Sequence, residues 1–295
     1  MLLKNGSTGQ EVIELQQALG IKADGDFGVK TENAVMAFQE TNGLVVDGIV
    51  GPQTLAAIRE NSATTDNSEK VYSPYEKLNV NKYFLPKSEY ISGPTNKEYL
   101  FLHHTAGWHN PYKTVDGWAN DDRGTIATEF VLGGRSVRGD DDRFDGELVQ
   151  CLPQGAYGWH LGKNGSQYMH THSIGIEICN FSYAENEKTY VGTPIASEQI
   201  MTLETPFRGH SQWHAYSDKQ IETLRLFILW IAERDSIDVR DGLVAEIKKN
   251  GLKAFEFNQD AYDGKIKGMW THTNTRKDKF DCFPQPDLVD MLSEL

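Results

Sequence analysis

The spacing of hydrophobic residues changes character along the chain. Over the first sixty positions it is helical. Val12, Leu15 and Leu19 share one face of a helix that Thr8 and Glu11 open as a capping box and Gly20 closes. Thr31, Val35 and Phe38 mark a second helix ending near Gly43. A third is short, with Pro52 in its first turn and Leu55 and Ile58 facing inward. The phrases Asp24-Gly-Asp-Phe-Gly28 and Asp47-Gly-Ile-Val-Gly51 open the second and third helices, which predicts a small internally duplicated three-helix bundle over residues 1–60. Residues 61–78 are polar and aperiodic, as a linker is.

From residue 79 to 295 short apolar runs alternate with helical patterns. Leu100 to Leu102, Phe130 to Leu132, Glu147 to Leu152 and Ile174 to Ile178 read as strands. Ser217 and Gln220 form a capping box for a helix to Arg234, with Ile221, Leu224, Ile228 and Ile231 on one face. Ala184 to His210 has no period and reads as an irregular insertion. The expected fold class is α+β, a mixed central sheet flanked by helices and preceded by the three-helix bundle.

Composition narrows the function. A hydrophobic content of 39% suits a packed core, and a net charge of −13 disfavours nucleic acid and anionic membrane surfaces as partners. The three cysteines cannot all pair, which fits folding in a reducing compartment. The opening residues lack the apolar core of a signal peptide, and the longest apolar run, Leu226 to Ala232, is too short to span a bilayer. The chain is therefore expected to be a monomer made in the cytoplasm, without stable membrane insertion.

The candidate chemistry lies in three places. His103 and His104 end a strand and should face opposite sides of the sheet. Near the C-terminus come His272, Lys279, Asp281 and Cys282, and two imidazoles with a thiolate suit zinc with one open position. In the strand Ser173-Ile-Gly-Ile-Glu177, the isoleucines belong to a core face and Glu177 to the other, where a carboxylate needs a partner or a task.

Five segments occur in one order: Phe101-Leu-His-His-Thr-Ala-Gly107, Ala127-Thr-Glu-Phe-Val131, Gly158-Trp-His-Leu-Gly162, Ser173-Ile-Gly-Ile-Glu177 and His272 to Cys282. Together, over residues 95–290, they resemble the type-2 N-acetylmuramoyl-L-alanine amidases, whose fold is shared with phage lysozyme-amidases and peptidoglycan recognition proteins. The first sixty residues resemble the peptidoglycan-binding three-helix module found beside wall hydrolases.

The resemblance implies a zinc ion on His103, His272 and Cys282, with Asp281 as the alternative third ligand. It implies Glu177 as acid/base and Lys279 beside the oxyanion; where many relatives have Ser-X-His-Phe this chain departs with Ala127-Thr-Glu129-Phe130, so Glu129 competes with Glu177 for the base role. His160, Trp159, His104 and Glu129 are the expected substrate contacts. The implied partner is bacterial peptidoglycan, cut between N-acetylmuramic acid and L-alanine. The expected biology is a phage endolysin, made in the host cytoplasm and acting on the wall after release. A bacterial autolysin or antibacterial toxin would share that activity. A non-catalytic recognition protein on the same fold is the other reading, which the presence of both Glu177 and Cys282 disfavours. A metallopeptidase would need a motif such as His-Glu-X-X-His, and the chain has none.

Overall fold

Three helices, α1 (Gln10–Ala18), α2 (Val29–Thr41) and α3 (Pro52–Ala63), bury Val12, Leu15, Phe27, Val35, Val50 and Ile58 in a common core. The computed structural model describes residues 2–63, 78–93, 96–162 and 165–295, and the chain divides into two units, Met1–Ser73 and Pro74–Leu295. Of the expected linker at 61–78, residues 64–77 lie outside the described residues and 61–63 close α3.

The predicted duplication has a polar counterpart. In the first half, the buried Gln16 donates to Asp24 Oδ1, Thr31 Oγ1 and the Asp26 carbonyl and accepts from the Gly25 amide. In the second, Gln39 donates to Asp47 Oδ1, Thr54 Oγ1 and the Ile49 carbonyl and accepts from the Gly48 amide. Each glutamine thus fixes the turn ahead of the next helix. Gly25 and Gly48 sit at φ +79° and +70°, where a side chain would be strained. The capping box expected from Thr8 and Glu11 does not form. Gly9 caps α1 at φ 111° without a side-chain hydrogen bond, because Thr8 is held instead in a β-bridge to Asp26.

The C-terminal unit is built on a six-stranded mixed sheet. Its strands are β1 (Val80–Lys82), β2 (Tyr99–His104), β3 (Phe130–Leu132), β4 (Leu148–Gln150), β5 (Ser173–Ile178) and a late edge strand, Gly268–Thr271. The late strand is β10, because two hairpins, β6 (Ala184–Glu185) with β7 (Lys188–Thr189) and β8 (Ile200–Phe207) with β9 (His210–His214), precede it. The order across the sheet is β1-β4-β3-β5-β2-β10, and only β3 and β4 run antiparallel. About half of the stretch expected to be irregular therefore lies in strands. Its strands are short or bulged, and too few of their side chains are buried to print an alternating pattern on the sequence.

Helix α4 (Pro111–Asn120) covers one face through Val115, against Val131 and Val149. The other face carries Phe130, Leu132, Leu148 and the three isoleucines of β5. It packs on α6 (Asp218–Asp235), which follows the short α5 (Gln167–Thr171). The capping box of α6 forms as predicted: Ser217 Oγ accepts from the Gln220 amide while Gln220 Oε1 accepts from the Ser217 amide. Beyond it, α7 (Leu243–Asn250), α8 (Gln259–Tyr262), α9 (His272–Thr275) and α10 (Pro286–Ser293) complete the unit.

Gln16→Ala should free the Gly25 amide to exchange with solvent while leaving Gly48 protected, and Gln39→Ala should do the reverse. Each should cost about 1–3 kcal/mol for the stranded polar partners. Amide hydrogen exchange on the full chain reads both effects, and loss of protection in both halves from either change would show that the networks are coupled.

Candidate active site

The parallel pairing of β2 with β5 sets His103 directly beside Glu177, and both point to the α4 side of the sheet at the C-terminal ends of their strands. His272 opens α9 just after β10, the neighbour of β2 on its other side. His103 Nδ1 and His272 Nδ1 stand 3.1 Å apart, with Asp281 Oδ2 at 3.4 Å from the first and 3.1 Å from the second. Among the described residues these three form the only group arranged to hold a metal ion.

Cys282, the expected third ligand, is not with them. Its side chain is fully buried in the main hydrophobic cluster beside Tyr216, and burial pushes its thiol well above the ordinary range. The two adjacent side chains have different surroundings, Asp281 facing the histidines and Cys282 the apolar core. A buried thiol that stays protonated is a poor ligand. Burial tends to raise the Asp281 carboxyl, yet the imidazoles of His272 and His103 hold it well below its usual range.

A chain of hydrogen bonds sets the state of His103. Ser173 Oγ donates to the His170 carbonyl, so it accepts from His160 Nε2, 2.7 Å away. His160 Nδ1 is then an acceptor and takes the proton on His103 Nε2 at 3.0 Å. That leaves the lone pair of His103 Nδ1 facing His272 and Asp281, as metal ligation requires. Burial, then the neighbouring His272, depresses the His103 pKa to about 4, against the pull of Asp281. His272 Nε2 is buried without a hydrogen-bond partner. Two imidazoles and a carboxylate converging at hydrogen-bond distance are a nitrogen, nitrogen, oxygen donor set that fits zinc.

The group opens on a cavity of about 520 Å³ lined by Glu177, Lys279, Trp159 and His160, with Arg123 and Arg276 also in its wall. Burial pushes the Glu177 carboxyl up to about 8, Asp281 adds to the rise, and Lys279 and Arg123 oppose it. Its Oε2 is buried without a hydrogen-bond partner. Gly175, two residues earlier on the same face, makes room for the site. A Cβ there would come within 2.6 Å of the Thr128 methyl and 2.9 Å of His160 Nδ1.

The expected substrate contacts divide. Trp159 lines the cavity, edge-on to His170 at 4.9 Å. His160 also lines it, but both its ring nitrogens are engaged as described, so its polar atoms serve His103. His104 reaches the cavity wall while its Nδ1 meets the Tyr216 hydroxyl at 3.1 Å. Glu129 is a correction: it is buried 2.9 Å from Arg234 and accepts from Gln150, whereas Thr128 faces the cavity. A buried carboxylate already paired with a guanidinium is a structural ion pair, and it does not compete with Glu177.

Sequence reasoning missed Ser173 and Arg208. Arg208, at the turn between β8 and β9, donates to the carbonyls of Thr273 and Lys277 and pairs with Glu256 at 3.1 Å. Tyr183 and His210 pack on Phe280 at 5.2 and 5.6 Å. The insertion thus braces the loop that joins His272 to Asp281. No periodicity marks Arg208, because its partners, two backbone carbonyls and the Glu256 carboxylate, lie far along the chain.

Asp281→Asn should abolish bound zinc, whereas Cys282→Ser should keep zinc at one per chain and cost about 1–3 kcal/mol through a poorly matched buried hydroxyl. Metal analysis of the purified variants decides, and the reverse pattern would restore the thiolate. Acid and base act on the chelated protein with opposite signs. Burial holds His104 at about 4 and His214 at about 3. The unfolded chain takes up those protons near pH 6.5, so stability is lost as pH falls from about 6.5 toward 4. Glu177 binds its proton more tightly when folded, so its contribution is lost as pH rises from about 4.5 to 8. Glu177→Gln should accordingly raise the urea midpoint at pH 8 and leave it nearly unchanged at pH 4.5.

Residues 8–58 match the family described as putative peptidoglycan binding domain, and residues 93–251 match the family described as N-acetylmuramoyl-L-alanine amidase. Over 56 residues the chain is 45% identical to the N-acetylmuramoyl-L-alanine amidase CwlM of Mycobacterium tuberculosis, covering 17% of this chain and only 14% of that relative. Among solved structures, it is similar to the E. coli amidase AmiD in complex with a substrate, at 17% identity and a TM-score of 0.32 over 50% of this chain and 48% of that one. An AmpD derivative is matched at 15% identity and a TM-score of 0.38, over 72% of this chain and 93% of that one. Because the second match takes in more than half of its residues, the chain belongs to the N-acetylmuramoyl-L-alanine amidase family.

Proposed function

We propose that the protein hydrolyses the amide between N-acetylmuramic acid and L-alanine in bacterial peptidoglycan, with zinc held by His103, His272 and Asp281. The observation that carries this reading is the placement of Glu177 and Lys279 in one cavity with that donor set. Zinc there would supply a Lewis acid for the scissile carbonyl.

The remaining roles fall to the chain's own groups. Glu177 accepts the proton of the attacking water and returns it to the departing L-alanine nitrogen. Its buried Oε2, without a hydrogen-bond partner in the protein, is open to that proton. Lys279 sets its ammonium beside the oxyanion, a contribution of about 3 kcal/mol in comparable sites. His160 and Ser173 hold His103 in one tautomer throughout.

The N-terminal unit, matched as a peptidoglycan-binding domain, would hold the enzyme on its insoluble substrate and raise the local concentration of amide bonds. A wall-binding module joined to this chemistry suits a lytic enzyme of the phage-endolysin type, acting on the wall after release from the cytoplasm in which it is made.

Mass spectrometry of purified peptidoglycan digested with the zinc-loaded protein tests the reading. Free stem peptides beginning at L-alanine, with glycan strands intact, are expected. Glu177→Gln should lower the rate by a factor of about 10²–10⁴ while zinc and wall binding persist. Cleavage within the peptide or the glycan, or none at all with zinc bound, would overturn it.

A further inference from the structure

Beside the cavity, large apolar side chains stand open to solvent. Trp108, Tyr190 and Val191 are 43%, 53% and 56% exposed. The two rings share a buried base, Phe181, which lies edge-on to Trp108 at 5.1 Å and 6.5 Å from Tyr190. The Tyr190 hydroxyl donates to the Ala106 carbonyl at 2.7 Å, which ties the inserted segment to the loop after β2. Tyr190 is therefore pinned at its polar end while its ring stays open, and it lines the same cavity as Ala106, Glu177 and Lys279. The exposed Arg138 sets its guanidinium 5.2 Å from the Trp108 ring centre.

Open apolar surface of this kind at the mouth of a site marks a binding surface. Rings held in advance offer contact area at little cost in side-chain entropy. We propose that Trp108, Tyr190 and Val191 form a shelf for a pyranose ring of the glycan strand, one sugar or more beyond the muramic acid whose amide lies at Glu177. The proposal rests on the amidase reading above and names a subsite for that substrate. A hexopyranose has an apolar C–H face, which suits the shelf, and a rim of hydroxyls, which suits the Arg138 guanidinium. The stem peptide carries carboxylates, and three of the cations that match them, Arg123, Arg276 and Lys279, are gathered in the cavity wall, whereas the shelf has Arg138 alone beside its apolar surface.

Two soluble substrates separate the subsite from the chemistry: a muramoyl-peptide monosaccharide, and the same peptide borne on a glycan tetrasaccharide. Tyr190→Ala and Trp108→Ala should each lower kcat/KM on the tetrasaccharide about tenfold, through KM, and Trp108→Ala, whose ring is not part of the cavity lining, should change it less than about twofold on the monosaccharide. Tyr190→Phe, which keeps the ring, should recover most of the loss. Equal losses on both substrates, as a peptide contact or a damaged fold would give, or no loss on either, would overturn the proposal. If the wild-type protein cleaves neither substrate, the amidase reading fails and calorimetric titration with peptide-free glycan fragments decides the shelf. The N-terminal unit is common to parent and variant, so weaker binding by Tyr190→Ala supports the shelf and identical binding overturns it.

Discussion

The parallel register between β2 and β5 is the constraint on which the rest of the C-terminal unit depends. It sets His103 level with Glu177 and, through the next pairing, Glu177 level with Val131. A slip of β5 by one residue would turn Glu177 away from His103 into the apolar face and the isoleucines into the cavity. The register is defended from both sides. Ile174, Ile176 and Ile178 are buried against the core, while Gly175 leaves room for Thr128 and His160. Hydrophobic burial on one face therefore aims the chemistry on the other.

Behind that geometry stands a second layer of polar contacts. Ser173, at the start of the strand that bears Glu177, fixes His160, which fixes His103. Arg208, Tyr183 and His210, from outside the sheet, hold the loop between His272 and Asp281. The candidate ligands reach the site by different routes, one from a strand end, one from a helix start and one from a loop. Each route has its own support.

What the sequence made legible follows the strength of local signals. The central strands and α6 were readable because strict alternation and a capping box are written within a few residues. His103, His272 and Glu177 were readable through motifs in one order. The grouping of Asp281, and not Cys282, with the two histidines was not, because it depends on which of two adjacent side chains faces them, and spacing says nothing about that. Glu129 misled for a related reason: its partner, Arg234, lies on α6, a hundred residues later, and only the folded chain brings them together. The inserted hairpins were invisible because short, exposed strands carry no alternation to detect.

The paired glutamine networks of the N-terminal unit have a different kind of consequence. Each is closed within its own stretch, Gln16 to Thr31 and Gln39 to Thr54, with no side-chain bond from one network to the other. Such a stretch behaves as a tile: everything that sets its turn travels with it. Lineages that lengthen or shorten a wall-anchoring region by whole tiles then need no new polar interlock at the seam, only a matching apolar edge.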